Sequence, residues 1–259
     1  MEEHDNPGEL ERRADAGDLH AARRLADLLA ERGDLAALER RADAATERRY
    51  ARDRLTRLLL ERGDVVGLTR RADASDRIAA ERLSWLLAER GDLAELERRA
   101  DAGDEQAAFG LARTLVQRGD LGELRRRADT GDREAADHLA HALARQLDLA
   151  ELRRRADTGD PHASHGLAVA LHRRGDRGEL QHRADSGDEH AAQELAMVLR
   201  ERGDLAELER RAGAGDVHAG KELTMALYYR SNETGDRSAL QRRADAGDEL
   251  AGRLLGPPR

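Results

Sequence analysis

Apolar residues recur along this chain at helical spacing, in short blocks that Gly-Asp pairs interrupt. The block between Gly91 and Asp120 shows the pattern twice. Its first stripe is Leu93, Leu96 and Ala100, and its second is Ala107, Ala108, Leu111 and Leu115. Stripes at i, i+3 or i+4, and i+7 are typical of amphipathic helices. The block therefore predicts a short helix, from Leu93 to about Ala102, and a longer one that ends near Arg118.

Gly and Asp mark the corners between these helices. Asp92 stands where it can cap the short helix, and Glu95 three residues later completes a pattern like a capping box. Gly103 provides a residue that accepts the left-handed conformation at a helix end, and Asp104 can cap the longer helix. Each block is thus predicted to be an antiparallel helical hairpin.

The hairpin pattern recurs nine times, which predicts a solenoid of stacked units. A marker alanine fills the same position in every copy: Ala14, Ala42, Ala72, Ala100, Ala128, Ala156, Ala184, Ala212 and Ala244. Six of the steps between markers are 28 residues, one is 30 and one is 32. We therefore expect an all-α fold, an α/α superhelical solenoid of about nine hairpins and eighteen helices, in one repeat domain over residues 1–259.

Two copies depart from the period. The second long helix, expected from Thr46 to Arg62, carries two extra residues around Tyr50 to Asp53, and residues 231–234 read as an insertion in a loop. The ends have the character of caps, with an acidic segment before Leu10 and a last helix that stops at Leu255, ahead of Gly256 and two prolines.

Composition narrows the function classes. The net charge of −8 argues against wholesale binding to nucleic acid or to an anionic membrane, and the absence of cysteine excludes disulfides and thiolate chemistry. The acidic, polar start is unlike a signal peptide, and no apolar run is long enough to span a bilayer, so a cytoplasmic location is expected.

The run from Ala184 to Ala196, Ala-Asp-Ser-Gly-Asp-Glu-His-Ala-Ala-Gln-Glu-Leu-Ala, resembles the Sel1-like repeat of the tetratricopeptide superfamily. The likeness extends over all nine copies, although these units are shorter and poorer in aromatic residues than the family's. The resemblance implies a right-handed superhelix, an adaptor role toward proteins or peptides, and a concave side lined by the longer helices.

The copies differ most at the sixth, ninth and thirteenth residue after each marker alanine. These positions share one stripe of the long helix, opposite the Ala and Leu stripe. The stripe holds the only Trp, the only Phe, two of three Met and six of ten His. Random drift in this chain would supply Arg, Glu, Asp and Ala instead. Large apolar side chains on an open face are typical of contact anchors, although single exposed apolar residues are also ordinary.

We therefore predict that the stripe binds a protein or peptide partner, with no cofactor. The predicted partner-binding residues are His20, Trp85, Phe109, Arg113, His141, His162, His165, His190, Met197, His218, Lys221 and Met225.

A row of arginines offers an alternative, the binding of nucleic acid or another polyanion. The row consists of Arg13, Arg41, Arg71, Arg99, Arg127, Arg155, Arg183, Arg211 and Arg243. Acidic residues near each copy favour ion pairs between repeats instead, and aromatic stacking platforms are almost absent. A third possibility is a regulatory arm for a separate enzyme.

Other candidate chemistry is weak. Equivalent histidines of adjacent copies would stand about 9–10 Å apart, too far for one metal ion, which leaves His138 and His141, together with Asp137, as the better candidate. A pH-sensitive contact surface is the more natural use of the histidines. The six Arg-Gly-Asp triplets are explained by corner chemistry, and no catalytic motif is present. We expect no metal site and no enzymatic activity.

Overall fold

The computed structural model describes residues 6–43 and 48–256, with the side chain of Arg48 left out. Within these ranges the chain forms eighteen helices and no strand. The short helices are α1 (Pro7–Asp15), α3 (Leu35–Asp43), α5 (Val65–Asp73), α7 (Leu93–Asp101), α9 (Leu121–Asp129), α11 (Leu149–Asp157), α13 (Arg177–Asp185), α15 (Leu205–Gly213) and α17 (Ser238–Asp245). The long helices are α2 (Leu19–Glu31), α4 (Arg48–Glu61), α6 (Arg77–Arg90), α8 (Glu105–Arg118), α10 (Arg133–Gln146), α12 (Pro161–Arg174), α14 (Glu189–Glu201), α16 (Val217–Thr234) and α18 (Glu249–Leu255).

Corner residues act as their types predict. The Asp104 side chain accepts hydrogen bonds from the backbone N–H groups of Gln106 and Ala107, at 3.0 and 3.2 Å, and so caps α8. Gly103 has φ +91°, in the left-handed region that favours glycine. The capping-box expectation for Glu95 is only half right. Asp92 accepts from the Glu95 N–H at 3.2 Å, but the Glu95 carboxylate binds the Arg98 guanidinium at 2.6 Å.

Leucine and alanine form the core of each hairpin. The leucine four residues before the marker is fully buried in most copies, as in Leu38, Leu68, Leu96, Leu124 and Leu152. Long helices contribute leucines at the eleventh and fifteenth residue after the marker, for example Leu83 and Leu87, each 1% exposed. Burying one such side chain contributes about 1.5–3 kcal/mol relative to leaving it in water. The prediction of an all-α hairpin array is therefore confirmed.

Small residues let neighbouring long helices approach closely. Ser84 on α6 is buried and donates its hydroxyl proton to the carbonyl oxygen of Gln106 on α8 at 2.7 Å. A methyl group at Gly110 would overlap that hydroxyl. Contacts of this kind hold the long helices side by side with few aromatic residues.

The described helices fall into two compact units, Met1–Ala135 and Ala136–Arg259, and the boundary lies within α10. In the first unit α2, α4, α6 and α8 pack side by side, each against its own short helix. In the second unit α12, α14, α16 and α18 do the same. Among the described residues of either unit, consecutive short helices make no comparably close backbone contact. In each unit the long helices therefore form the more closely spaced layer.

Both predicted insertions are placed differently from expectation. Residues 231–234 do not form a loop, because α16 continues through them to Thr234, and Gly235, with φ +77°, ends the helix there. The two extra residues of the second copy lie upstream of Ala51, because Ala51, Leu55 and Leu59 occupy the buried positions of α4 in the normal register. Its predicted start at Thr46 lies outside the described residues.

The predicted ends fit the described helices. Helix α18 stops at Leu255 as expected, and residues 257–259 lie outside the description. At the other end α1 begins at Pro7, with Asn6 as its cap, so Leu10 is already within a helix.

Candidate functional site

The variable stripe lies on the open face of the long-helix layer. In α8, Ala107, Leu111 and Leu115 are 1–3% exposed and face the short helix, while Gln106, Phe109 and Arg113 lie on the opposite side. The same division holds outside the second copy, whose two extra residues shift the register: in the other copies every described residue at the three variable positions is half-buried or exposed. We call this surface, in each of the two units, the open face. It carries all twelve predicted partner-binding residues.

In the first unit the open face carries large apolar side chains. Ile78 and Trp85 lie one above the other on α6 and are 43% and 39% exposed, and Phe109 on α8 is 45% exposed. Arg113 follows Phe109 by one helical turn on the same face. We call these four residues the aromatic cluster. His20, also predicted to bind the partner, is exposed on α2 and is separated from α6 by α4.

Arg113 has a different environment from most arginines of this unit. It is half-buried, its buried Nε has no hydrogen-bond acceptor, and no described carboxylate forms an ion pair with it. By contrast, Arg99 is bound by Asp73 and Asp104, both at 2.9 Å. A half-buried cation without an acceptor carries a desolvation cost that a bound carboxylate would offset.

In the second unit three predicted histidines meet across three long helices. His141 of α10 and His165 of α12 have ring centroids 6.2 Å apart, and His165 and His190 of α14 are 5.1 Å apart, both edge to face. These residues stand thirteen, nine and six residues after their markers, so each helix is shifted by about one turn against the previous one. His162 follows the same offset and has its Nδ1 3.1 Å from Asp137 Oδ1.

The central histidine of this row is electrostatically disfavoured as a cation. Burial lowers the pKa of the His165 imidazole, and the neighbouring positive charges of His190 and His141, when protonated, lower it further. At neutral pH the row is therefore largely uncharged at its centre, which suits edge-to-face contact between the rings.

A second imidazole on α12 has the opposite tendency. His172 Nδ1 lies 2.5 Å from Glu194 Oε2, and its Nε2 lies 3.2 Å from Glu201 Oε2. Burial lowers the pKa of His172, but the hydrogen bonds to the two glutamates outweigh it, and the pKa lies above its usual value. This cluster was not predicted from the sequence.

The remaining predicted residues lie farther along the second unit. Met197 on α14 and Met225 on α16 are half-buried, and Lys221 on α16 is exposed. His218 Nε2 is 3.7 Å from Glu189 Oε1. All four are accessible from the open face, and their role in binding stays a prediction.

The arginine row is engaged in ion pairs on the short-helix side. Arg99 and Arg127 each bind the aspartate that ends the preceding short helix, Asp73 and Asp101, at 2.9 and 2.8 Å. Each also binds the capping aspartate of its own repeat. Further pairs join Arg41 to Asp15, Arg71 to Asp43, Arg183 to Asp157, and Arg211 to Asp185. The expectation that acidic residues neutralise this row is confirmed for these arginines. We call the set the arginine ladder.

Open grooves recur between successive corners but contain structural groups. One of about 660 Å³ is lined by Asp73, Asp76, Arg99 and Asp104, and one of about 440 Å³ occupies the same place between α13 and α15. Their charged walls are the caps and ladder just described. Across residues 6–43 and 48–256, no set of three or more His, Cys, Asp or Glu side chains has the geometry to hold a metal ion. His141 Nδ1 instead lies 2.9 Å from the carbonyl oxygen of Asp137.

Among the described helices, none combines the length and the apolar character needed to cross a lipid bilayer. Comparison of the chain with models of known protein families, with curated proteins and with solved structures found no match. The chain is a repeated array of helical hairpins, and that assignment rests on its own period and packing.

Proposed function

We propose that this chain is a non-enzymatic scaffold that binds a protein or peptide along the open face of its long helices. One observation carries the proposal. The core is formed almost wholly by leucine and alanine, whereas the only Trp and the only Phe of the sequence, Trp85 and Phe109, lie on the open face, each well over a third exposed.

The energetics of exposed aromatic residues support this interpretation. A Trp or Phe side chain left in water gives up much of the stabilisation that burial would provide, about 1.5–3 kcal/mol for a fully buried large apolar side chain. Clustered aromatic residues with an arginine beside them are the side chains that most often dominate binding at interfaces. The aromatic cluster combines these types on two adjacent helices.

Two further arguments favour an adaptor. The resemblance to Sel1-like repeats implies such a role, with the longer helices lining the concave side. The closer spacing of the long helices within each unit supports that orientation. Assignment to the Sel1-like or tetratricopeptide-like group is part of this proposal.

Site-specific photo-crosslinking tests the proposal directly. The photoreactive residue p-benzoylphenylalanine is placed at Trp85, Phe109 or Met197 on the open face, or at Glu97 or Glu209 on the short-helix side as controls. In the cell of origin, we expect the open-face positions to yield a common crosslinked species that the control positions do not. Replacing Trp85 and Phe109 together by Ala should remove this species from Met197 and leave helical circular dichroism unchanged. Equal crosslinking from both sides, or none from the open face, would refute the proposal.

The competing proposal is polyanion binding through the arginine ladder. The ion pairs of the ladder weigh against it, because phosphate contacts need free cationic groups. Passage of the purified protein through a heparin column at moderate salt is the expected result. Retention that falls steeply with added salt would favour the polyanion instead.

A further inference from the structure

We infer that the aromatic cluster of the first unit recognises an acidic peptide segment, in which a carboxylate side chain stands two residues from a bulky apolar side chain on an extended backbone. This inference rests on the proposed function and specifies the chemistry of the partner.

The apolar half of the site is provided by two adjacent helices. Trp85 on α6 and Phe109 on α8 are related by the same offset, thirteen and nine residues after the marker, that brings His141 and His165 together in the second unit. Ile78 lies two helical turns before Trp85 on the same face of α6, with Glu81 between them. The register therefore places Trp85 and Phe109, both exposed, at paired positions of α6 and α8.

The polar half is the guanidinium of Arg113. It is half-buried, lacks an ion-pair partner among the described residues, and has a buried Nε without an acceptor. The acidic residue at the same face on α6, Glu81, lies 3.7 Å from Arg82, its own neighbour. A carboxylate from outside is the group that satisfies Arg113, through charge-assisted hydrogen bonds to its guanidinium.

The spacing of the two halves sets the spacing in the partner. Phe109 and Arg113 are one helical turn apart, which separates their Cβ atoms by about 5–6 Å. An extended chain places side chains i and i+2 on the same side, about 6.6–6.8 Å apart. An apolar residue against Phe109 and Trp85 thus brings the second following residue to Arg113. The carboxylate comes from a side chain, because terminal carboxylates are usually held by free backbone N–H groups, and the middle of a helix has none to offer.

The test uses an array of short capped peptides of the form Gly-Ser-Φ-Ser-Z-Ser-Gly, probed with the full-length protein. Position Φ is Leu, Phe, Trp or Ala, and position Z is Glu, Gln or Lys. We expect peptides with a large apolar Φ and Glu at Z to be retained about tenfold better than their Gln counterparts, a ratio that corresponds to ~1.4 kcal/mol. Lys at Z should bind least.

Variants separate the two halves of the site. Arg113→Gln should abolish the preference for Glu over Gln, and Phe109→Ala should abolish the preference for a large apolar Φ. The matched control is Arg118→Gln, on the last turn of the same helix, which should keep both preferences. Circular dichroism and thermal melting confirm that each variant is folded, as expected for substitutions on an exposed face.

Several outcomes would overturn the inference. They are equal retention of Glu, Gln and Lys peptides, no retention of any peptide, and a Glu preference that survives Arg113→Gln. Stronger retention of a peptide that ends in a free carboxylate would show that Arg113 binds a chain terminus instead of a Glu side chain. If the protein self-associates and Arg113→Gln abolishes this, the partner of the site would be a second copy of the chain instead of a peptide. If the open-face crosslinks form but the peptides show no Glu preference, this inference alone is refuted. If neither the crosslinks nor the Glu preference is observed, the proposed function is refuted as well.

Discussion

Among the described corners that follow a short helix, one departs from the others at a single residue, and this allows a sharp test of how these corners are stabilised. The third residue after the marker is glycine in Gly17, Gly103, Gly131, Gly159, Gly187, Gly215 and Gly247, all with φ between +91° and +97°. In the third copy it is Ser75, with φ +63°. We expect Ser75→Gly to stabilise the protein and Gly103→Ser, at the next corner of the same kind, to destabilise it.

The magnitudes follow from the backbone alone. An L-residue in the left-handed region costs about 1–2 kcal/mol. Glycine loses about 0.5–1 kcal/mol more conformational entropy on folding than alanine does. Ser75→Gly should therefore raise the free energy of unfolding by about 0.5–1 kcal/mol, the difference of these terms. An added Cβ at Gly103 meets no atom within 4 Å, so Gly103→Ser carries the same two terms with the opposite sign and should lower the free energy of unfolding by about 0.5–1 kcal/mol.

Urea unfolding followed by circular dichroism measures both changes. The midpoint should rise for Ser75→Gly and fall for Gly103→Ser, with the slope m unchanged, because neither variant alters the buried surface. Ser75→Ala is the control for the side chain, since it removes the hydroxyl but keeps the backbone restriction. Its midpoint should stay near that of the wild type. If Ser75→Gly left the midpoint unchanged or lowered it while Gly103→Ser was harmless, the left-handed corner would not be the source of strain.

Two further predictions concern charged groups. Arg99→Ala should lower the free energy of unfolding by about 2–3 kcal/mol, because the Arg99 side chain is only 8% exposed and Asp104 loses its partner. Arg98→Ala, at a side chain 64% exposed, should change it by less than about 0.5 kcal/mol. Equal losses for the two variants in urea unfolding would contradict a stabilising role of the ladder. The pKa of His165 is lowered by folding, so His165→Gln should melt higher than the wild type at pH 5.5 and equally at pH 8 (about one unit or more either side of the unfolded pKa near 6.5). The pKa of His172 is raised by folding, so protonated His172 stabilises the fold fully below pH about 6.5, and this contribution disappears as pH rises through the folded pKa. His172→Gln should therefore melt lower than the wild type in acid and at the same temperature in base. A difference in melting temperature that did not change with pH would exclude this linkage.

Most of the fold could be read from residues whose effects are local. Gly103 and Asp104 determine a corner through backbone conformation and capping, without reference to distant parts of the chain. The loop predicted for the insertion before the ninth copy was wrong, because the corner signal there was overlooked. Its polar residues suggested a loop, yet Gly235 and Asp236 simply repeat the corner signal four residues later, and Ser231 is buried in the extended helix.

The site was harder to predict because it depends on how neighbouring helices are offset. The sequence indicated which positions vary and that they share one face, and the structure places them there. The sequence does not give the register between neighbouring helices, so the contact of His141, His165 and His190 was not predicted. The diagonal of thirteen, nine and six residues after the marker is the signal that, with hindsight, describes it. The isolation of Arg113 likewise depends on which carboxylates reach it in three dimensions.

The arginine ladder gives the array a direction. Each ladder arginine binds an aspartate of the repeat before it, as Arg99 binds Asp73 and Arg211 binds Asp185. Deleting a repeat from the carboxyl end of a unit frees only an exposed carboxylate, which water solvates at little cost. Deleting one from the amino end leaves a guanidinium short of one acceptor in a sheltered position. Growth and loss of repeats should therefore be tolerated more readily toward the carboxyl end, because each ladder arginine depends on the repeat before it and not on the repeat after it.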